Sequence, residues 1–223
     1  MPGSIKIDDG SGNYTILTNA GSLGSDKTIT IPNETATIAT TTATNLGGLV
    51  KLASATASSS SDLTFDNFVN TSTYSHYIVS IQDLLPATNG VELRFTFREG
   101  GASGSDKTGS YAYAYAYNYL DTTSVGESRG TDTDYGRISG NVGNTAGSQH
   151  ALQIEQQFFS GNGTNSSAIL RTPHTTRQAN GSVAGFHQWA VTIENLFTCT
   201  GLKFYFSSGN IASGTITIFG VKK

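Results

Sequence analysis

Residues 126–130 (G-E-S-R-G) match the G-x-S-x-G pattern that surrounds a nucleophilic serine in many hydrolases. That chemistry requires a strand before the serine and a helix after it, which together hold the hydroxyl exposed on a strained turn. The sequence T-D-T-D-Y-G that follows is typical of a loop. We therefore interpret Ser128 as a chance match and predict no nucleophile there.

Three carboxylates near this segment could do acid–base chemistry. Glu127, Asp132 and Asp134 could supply the pair that cleaves a glycosidic bond, although a solvated polar turn explains them as well. The two aspartates also have a spacing found in calcium loops, but the glycine and distal glutamate of such a loop are missing. The four histidines lack the short spacing of metal ligands, and Cys199 is the single cysteine. We therefore predict that the chain is not an enzyme and has no catalytic, cofactor-binding or metal site.

Two stretches rich in Gly, Ser, Thr and Asn, residues 120–149 and 160–185, are better candidates for recognition. We predict that both are long loops, because loops on a rigid framework commonly carry binding residues. Tyr and Arg make adaptable contacts, and Asn, Ser and Thr can hydrogen-bond to sugar hydroxyls. Alternatively, these loops cover the domain or contact neighbouring subunits. The candidate receptor- or glycan-contacting residues in them are Arg129, Tyr135, Arg137, Arg171, His174 and Arg177.

The elements that must position these residues are short strands, because two-residue periodicity dominates the sequence. Residues 91–97 alternate apolar and polar side chains, and residues 189–193 and 202–206 do the same. Turn residues separate such runs at regular intervals from residue 62 onward, which indicates a β-sandwich. Only 13% of the residues are charged, while 10 Tyr and 11 Phe are enough to build a core. The predicted fold class is all-β.

The most regular run is Y-A-Y-A-Y-A-Y-N-Y, residues 111–119, in which a strand would place all the tyrosines on one face. The alanines and Asn118 would then form the other face. A row of rings could stack against sugars, or it could be one sheet's contribution to a core or a subunit interface. We favour the second interpretation. If the tyrosines face a core, the alanine face is a smooth surface that a neighbour can approach closely.

The first 46 residues contain short strands with only one or two isoleucines each. So thin an apolar stripe is near the limit for folding alone, where oligomerisation is usually needed. We therefore predict that residues 1–46 attach or oligomerise the protein by burying these isoleucines against copies of themselves or a larger assembly. Residues 47–61, which end in a serine run, are either a solvated linker or an edge strand of the domain 62–223. The isoleucines concerned are Ile5, Ile7, Ile16, Ile29, Ile31 and Ile38.

Three segments of the chain resemble bacteriophage tail-fibre and other virion proteins that end in a β-sandwich. They are T-Y-S-H-Y-I-V-S-I-Q-D-L-L-P-A-T-N-G-V-E-L-R-F (residues 73–95), the terminal S-S-G-N-I-A-S-G-T (residues 207–215), and K-T-I-T-I-P-N-E-T-A-T-I-A-T (residues 27–40). The resemblance implies a jelly-roll-like sandwich in residues 62–223, closed by a hairpin over residues 202–223. A small strand-rich attachment region precedes it. The resemblance implies no site residues.

The resemblance and the thin N-terminal core together lead us to expect a structural protein of a phage virion. The favoured role is a short tail fibre or receptor-binding adhesin. It would be a homotrimer whose N-terminal region binds other virion proteins and whose sandwich contacts host surface polysaccharide. A capsid decoration or head-fibre protein is the alternative, and a polysaccharide depolymerase is less favoured.

Charge and hydropathy exclude two classes of partner. The net charge of −3 without a basic run argues against nucleic-acid binding, and no long apolar run suits membrane insertion. The N-terminus lacks the apolar region of a secretory signal. We therefore expect synthesis in the host cytoplasm and a final location in the virion.

Overall fold

A computed structural model of the chain describes residues 4–8, 11, 14–18, 48–109, 111–119, 125–132, 134–144, 152–159, 169–177, 183–193 and 197–223. The chain divides into two compact units, residues 1–43 and 44–223. In the first unit, strands β1 (Ser4–Asp8) and β2 (Tyr14–Thr18) form an antiparallel pair.

The isoleucines predicted to mediate assembly all belong to this first unit. Ile5 and Ile7 lie in β1, and Ile16 lies in β2, where it pairs with Lys6. Their burial against a copy or a larger assembly stays a prediction. The remaining three lie outside the described residues: Ile29, Ile31 and Ile38.

The described residues of the second unit form two antiparallel sheets, with strands numbered along the chain. Eight strands form the larger sheet, and their order across it differs strongly from their order in the sequence. Across the sheet they are β3 (Leu49–Ser60), β15 (Ile211–Lys222), β5 (Tyr74–Pro86), β11 (Leu152–Phe159), β12 (Ile169–Arg177), β13 (Val183–Ile193), β8 (Tyr111–Tyr119) and β9 (Val125–Asp132).

The smaller sheet has five strands. Four of them lie side by side, and the fifth, β7 (Ser105–Asp106), pairs with β6 after a single turn of 3₁₀ helix over Gly101–Ser103. The four strands are β10 (Gly136–Val142), β6 (Val91–Glu99), β14 (Gly201–Phe206) and β4 (Leu63–Phe65).

The core lies between these two sheets and follows from the two-residue alternation. In β6, Leu93, Phe95 and Phe97 are fully buried while the residues between them include charged side chains on the outer face. Phe97 stacks on Tyr111 of the larger sheet, with 5.6 Å between ring centroids, and lies 5.9 Å from the ring of Phe158. Each such ring contributes roughly 1.5–3 kcal/mol by leaving water. The structure therefore confirms the prediction of an all-β sandwich.

The predicted closing hairpin over residues 202–223 is wrong. Strand β14 belongs to the smaller sheet and β15 to the larger one, so the connection over residues 207–210 crosses between the sheets. The connection between β5 and β6 crosses in the same way. We call each pair of strands with its crossing connection an arch, and the two arches nest because β14 pairs with β6 and β15 pairs with β5. The Ala87 amide donates to the Asn210 carbonyl at 2.9 Å, which ties the two arches together.

A single glycine allows the second arch to pack on the first. Gly209 has a φ of 72°, a left-handed conformation that glycine adopts without strain. A Cβ atom at this position would also lie 2.2 Å from the Oγ1 atom of Thr88 in the first arch. Residues 73–95 and 202–223 are thus neighbours in both sheets.

The prediction that residues 120–149 and 160–185 are long loops is also wrong. Strands β9 and β10 occupy much of the first stretch, and β12 with the start of β13 occupies much of the second. Of the six candidate contact residues, only Tyr135 lies between strands; Arg129, Arg137, Arg171, His174 and Arg177 lie within them.

Residues 47–61 contain β3, a strand at one edge of the larger sheet. Its serines and threonines hydrogen-bond across the strand pair, because Ser54 and Thr56 place their hydroxyls 2.9 Å from those of Thr217 and Thr215. The serine-rich composition, which suggested a solvated linker, therefore serves strand pairing.

Candidate recognition site

Strand β8 presents Tyr111, Tyr113, Tyr115 and Tyr117 to the inner side of the larger sheet. Tyr111 is 0% exposed; its hydroxyl accepts a hydrogen bond from the Phe97 amide at 2.8 Å and donates one to the Lys107 carbonyl at 3.0 Å. Burial in this apolar site raises the pKa of the Tyr111 phenol well above its usual value. Tyr113 is partly buried and packs against the core. This part of the ladder is structural.

The ladder continues as a stack of rings. The centroids of Tyr113 and Tyr115 are 6.2 Å apart, those of Tyr115 and Tyr117 are 5.8 Å apart, and both pairs are nearly parallel. Tyr115 and Tyr117 are half-buried. Such spacing follows from the strand repeat, since alternate residues on one face lie about 6.6 Å apart.

The G-x-S-x-G match is explained by this stack. Strand β9 pairs with β8 so that Gly126 lies opposite Tyr117, Ser128 opposite Tyr115 and Gly130 opposite Tyr113. A Cβ atom at Gly126 would lie 2.6 Å from the Tyr117 hydroxyl oxygen. The two glycines of the match therefore lie where a side chain would meet a tyrosine ring, Gly126 against Tyr117 and Gly130 against Tyr113.

The same geometry argues against a nucleophile elbow at Ser128. A nucleophile elbow needs a turn between a strand and a helix, whereas Ser128 lies in the middle of β9 and is flanked by strand residues on both sides. Of the carboxylates considered for glycoside cleavage, Glu127 is exposed in β9 and Asp134 is exposed after it. In the described part of the chain, no group of three or more His, Cys, Asp or Glu side chains could hold a metal ion.

The outer face of β8 carries a depression of about 820 Å³. Its floor is formed by Ala114 and Ala116 of β8 and by Ala190 of β13, and all three are exposed. Glu127 and Arg129 of β9 line one side, and the remaining lining residues belong to the same two strands, β8 and β9. Small side chains on β8 and β13, beside longer ones on β9, make the sheet surface concave here.

The pairing register extends this site across four strands. Arg129 lies opposite Ala114, Ala114 opposite Ala190, and Ala190 opposite Arg171 of β12. The backbones of Arg129 and Arg171 are therefore separated by three strand spacings, roughly 14 Å in all. The fold thus brings two of the six candidate contact residues into one row, with two alanines between them.

The other candidates lie elsewhere. On β12, His174 pairs with His187 and Arg177 pairs with Val183 of β13. Arg137, in β10, donates to the Glu92 carboxylate at 3.1 Å, and its guanidinium lies 5.6 Å from the Tyr113 ring centroid.

Tyr135 belongs to the same group as Arg137. The guanidinium of Arg94 covers the Tyr135 ring at 3.9 Å and also contacts the Glu92 carboxylate at 2.8 Å. Burial raises the pKa of the neighbouring Tyr205 to about 12, although the nearby Arg94 guanidinium acts in the opposite direction. Tyr135 and Arg137 therefore belong to an internal network on the smaller sheet rather than to the depression.

Charges on the two outer faces are arranged differently. On the smaller sheet, Arg98 binds the carboxylates of Asp66 and Asp106, and Lys203 binds Asp106 at 2.9 Å. Burial would raise the pKa of Asp106, but the hydrogen bonds from Lys203 and Arg98 outweigh it and leave that pKa lowered. On the larger sheet, Arg129 is exposed and has no ion-pair partner among the described residues.

Sequence reasoning named Arg129 and Arg171 but missed the rest of the depression. The alternating alanines of β8 signalled an open surface, and their role as its floor depends on Ala190, a residue 76 positions from Ala114 that only the strand register brings beside it. Glu127 was weighed only as a catalytic group.

The described residues contain no helix with the length and apolarity needed to cross a membrane. No family model, no curated protein and no solved structure matches this chain.

Proposed function

We propose that the chain is a structural protein of a bacteriophage virion, a short tail fibre or receptor-binding adhesin, which contacts host surface glycan through the outer face of its larger sheet. The observation that carries this proposal is the exposed, alanine-floored depression beside Glu127 and Arg129. It is a preformed concave surface on a rigid sheet, with few polar groups that can fix the orientation of a ligand.

The chemistry of the depression suits a saccharide. The methyl groups of Ala114 and Ala116 let the C–H face of a sugar ring approach the sheet closely. The Glu127 carboxylate can accept hydrogen bonds from ring hydroxyls, and the Arg129 guanidinium can donate them. Open sites of this kind bind individual sugars weakly, so attachment would depend on several copies engaging together, as in the homotrimer expected here.

The assignment to a virion is supported by the segments that resemble tail-fibre proteins. Residues 73–95 contain β5, its connection to β6 and the first half of β6, and residues 207–215 contain the connection between β14 and β15 and the start of β15. Both segments belong to the two nested arches. The likeness therefore falls on the part of the fold that determines how the two sheets are joined.

Adsorption tests the proposed role. The purified chain should compete with virus particles that carry it for attachment to host cells, and Arg129→Ala should raise the concentration needed for half-inhibition by roughly tenfold. Lys51→Ala, on the opposite edge of the same sheet, is the matched control and should compete like wild type. Absence of competition by a folded wild-type chain would contradict the adhesin assignment.

Immunogold labelling of the particles distinguishes the remaining alternatives. Label at the tail agrees with the adhesin, whereas label on the shell would assign the chain to capsid decoration or a head fibre. A depolymerase would release reducing ends from host polysaccharide and would lose this activity in Glu127→Gln. We expect no such release.

A further inference from the structure

Strand β9 is an edge strand whose outward side has no partner among the described strands. It pairs with β8 along nearly its whole length, from Val125 opposite Asn118 to Asp132 opposite Tyr111, and no other described strand lies beyond it. Alternate backbone N–H and C=O groups along such an edge point away from the sheet, where they can template pairing with another chain.

Proteins usually protect such edges with charges, but the two charges nearest the middle of β9 have opposite signs. Glu127 and Arg129 are both exposed on the outer face, one residue on either side of Ser128. A strand with like charges repels a copy of itself, whereas a strand with one charge of each sign about a centre is complementary to its own antiparallel image.

We propose that β9 pairs antiparallel with β9 of a second copy of this chain, about a two-fold axis at Ser128. In this register Glu127 of each copy faces Arg129 of the other, so two opposite-charge pairs form. The contact is isologous and closes on itself, which limits it to two copies. It joins the two larger sheets into one continuous sheet, and it engages Glu127 and Arg129, which also line the depression of each copy.

The other side chains of β9 fit the same register. Val125 is 77% exposed, a high value for an apolar residue, and in the pair it lies opposite Thr131 of the second copy. Two β-branched side chains facing each other across strands are favourable. On the inner face, Gly126 lies opposite Gly130 and Ser128 opposite itself, so no bulky side chains meet at the axis.

The opposite edge of the sheet lacks these properties. The described charged residue of β3 is Lys51, and no acidic residue lies in Leu49–Ser60 to complement it in a second copy. Near the end of β3, Ser59 has a φ of 54°, which departs from extended geometry. Self-pairing is therefore expected at β9 and not at β3.

Charge reversal tests this interface. Glu127→Arg gives each copy two arginines at the seam and Arg129→Glu gives two glutamates, so each variant alone should dimerise at least tenfold more weakly than wild type. An equimolar mixture of the two variants restores two opposite-charge pairs and should associate again, as should the double variant. Lys51→Glu on β3 is the matched control and should associate like wild type.

The readout is mass by sedimentation velocity, with circular dichroism and urea midpoints to verify folding. Wild-type particles should have twice the mass of Glu127→Arg particles, whatever assembly residues 1–43 produce. Equal masses for wild type and both single variants, or failure of the mixture to associate, would overturn the proposal. Adsorption does not enter this measurement, so its outcome is separate from that of the proposed function.

Discussion

The two faces of β8 differ in character, although they belong to the same nine residues. The inner face carries tyrosines, beginning with the fully buried Tyr111, and the outer face carries exposed alanines at the floor of a depression. Strand β9 is its complement on both sides: Gly130 and Gly126 lie opposite Tyr113 and Tyr117, and Glu127 and Arg129 lie opposite alanines. On each face of this strand pair, large side chains of one strand therefore lie opposite small residues of the other. The alternating sequence of β8 thus contributes to the core on one face and to a contact surface on the other.

The largest effect we predict is at the buried end of the inner face. Tyr111→Ala removes a ring that stacks on Phe97 and a hydroxyl that bonds the Phe97 amide, so it should lower the free energy of unfolding by about 3–5 kcal/mol. Tyr111→Phe keeps the ring and should cost about 1–2 kcal/mol, because the amide loses its partner. Urea denaturation measures both. A Tyr111→Ala loss below that of Tyr111→Phe would show that the inner face is not core.

The glycines opposite the ladder should give the next largest effect. Gly126→Val would place its Cβ atom 2.6 Å from the Tyr117 hydroxyl oxygen and force the ring aside, which should cost about 1–3 kcal/mol. Ser128→Ala is the matched control in the same strand and should stay within about 0.5 kcal/mol. Comparable losses for the two variants would contradict the packing explanation of the G-x-S-x-G match.

Alkaline pH should destabilise the folded chain through a buried thiol, that of Cys199. Burial raises the pKa of the Cys199 thiol to about 12, from 9.0 in an unfolded chain. The unfolded state therefore loses its proton first. The contribution of this thiol is full below pH 9 and is lost as pH rises toward 12, by roughly 1 kcal/mol per pH unit. Urea midpoints between pH 8 and 11 should fall less steeply in Cys199→Ala. Parallel pH profiles for the two proteins would refute this assignment.

How far the sequence predicted the structure depends on whether the determining contacts are local. The alternation from Val91 to Phe97 is a local signal, and it correctly predicted β6 and an all-β fold. The terminal segment was predicted to be a hairpin because its turn signal is local. The separation of β14 and β15 into different sheets depends on their partners β6 and β5, which are distant in the sequence. A local pattern identifies a strand but does not say which neighbour it takes.

The candidate site shows the same limit. Residues 126–130 lack the β-branched residues typical of strands, so they were expected to be a loop. They form a strand paired with β8, in which the two glycines lie against tyrosine rings. Arg129 and Arg171 were chosen by residue type, and only the strand register places them in one row while it places Arg137 with Glu92. The isoleucines of residues 1–46 and the trimer they suggest stay predictions.

The central claim is that the alanine face of β8 binds the ligand, whereas its tyrosine face packs in the core. The variant with the smallest expected change in stability tests this claim most directly. Ala114→Trp fills the depression at an exposed strand position, so its free energy of unfolding in urea should stay within about 0.5 kcal/mol of wild type. We predict that it nonetheless loses competition for adsorption by at least tenfold, while Tyr113→Phe on the inner face competes like wild type. A folded Ala114→Trp chain that competes as well as wild type would contradict the account.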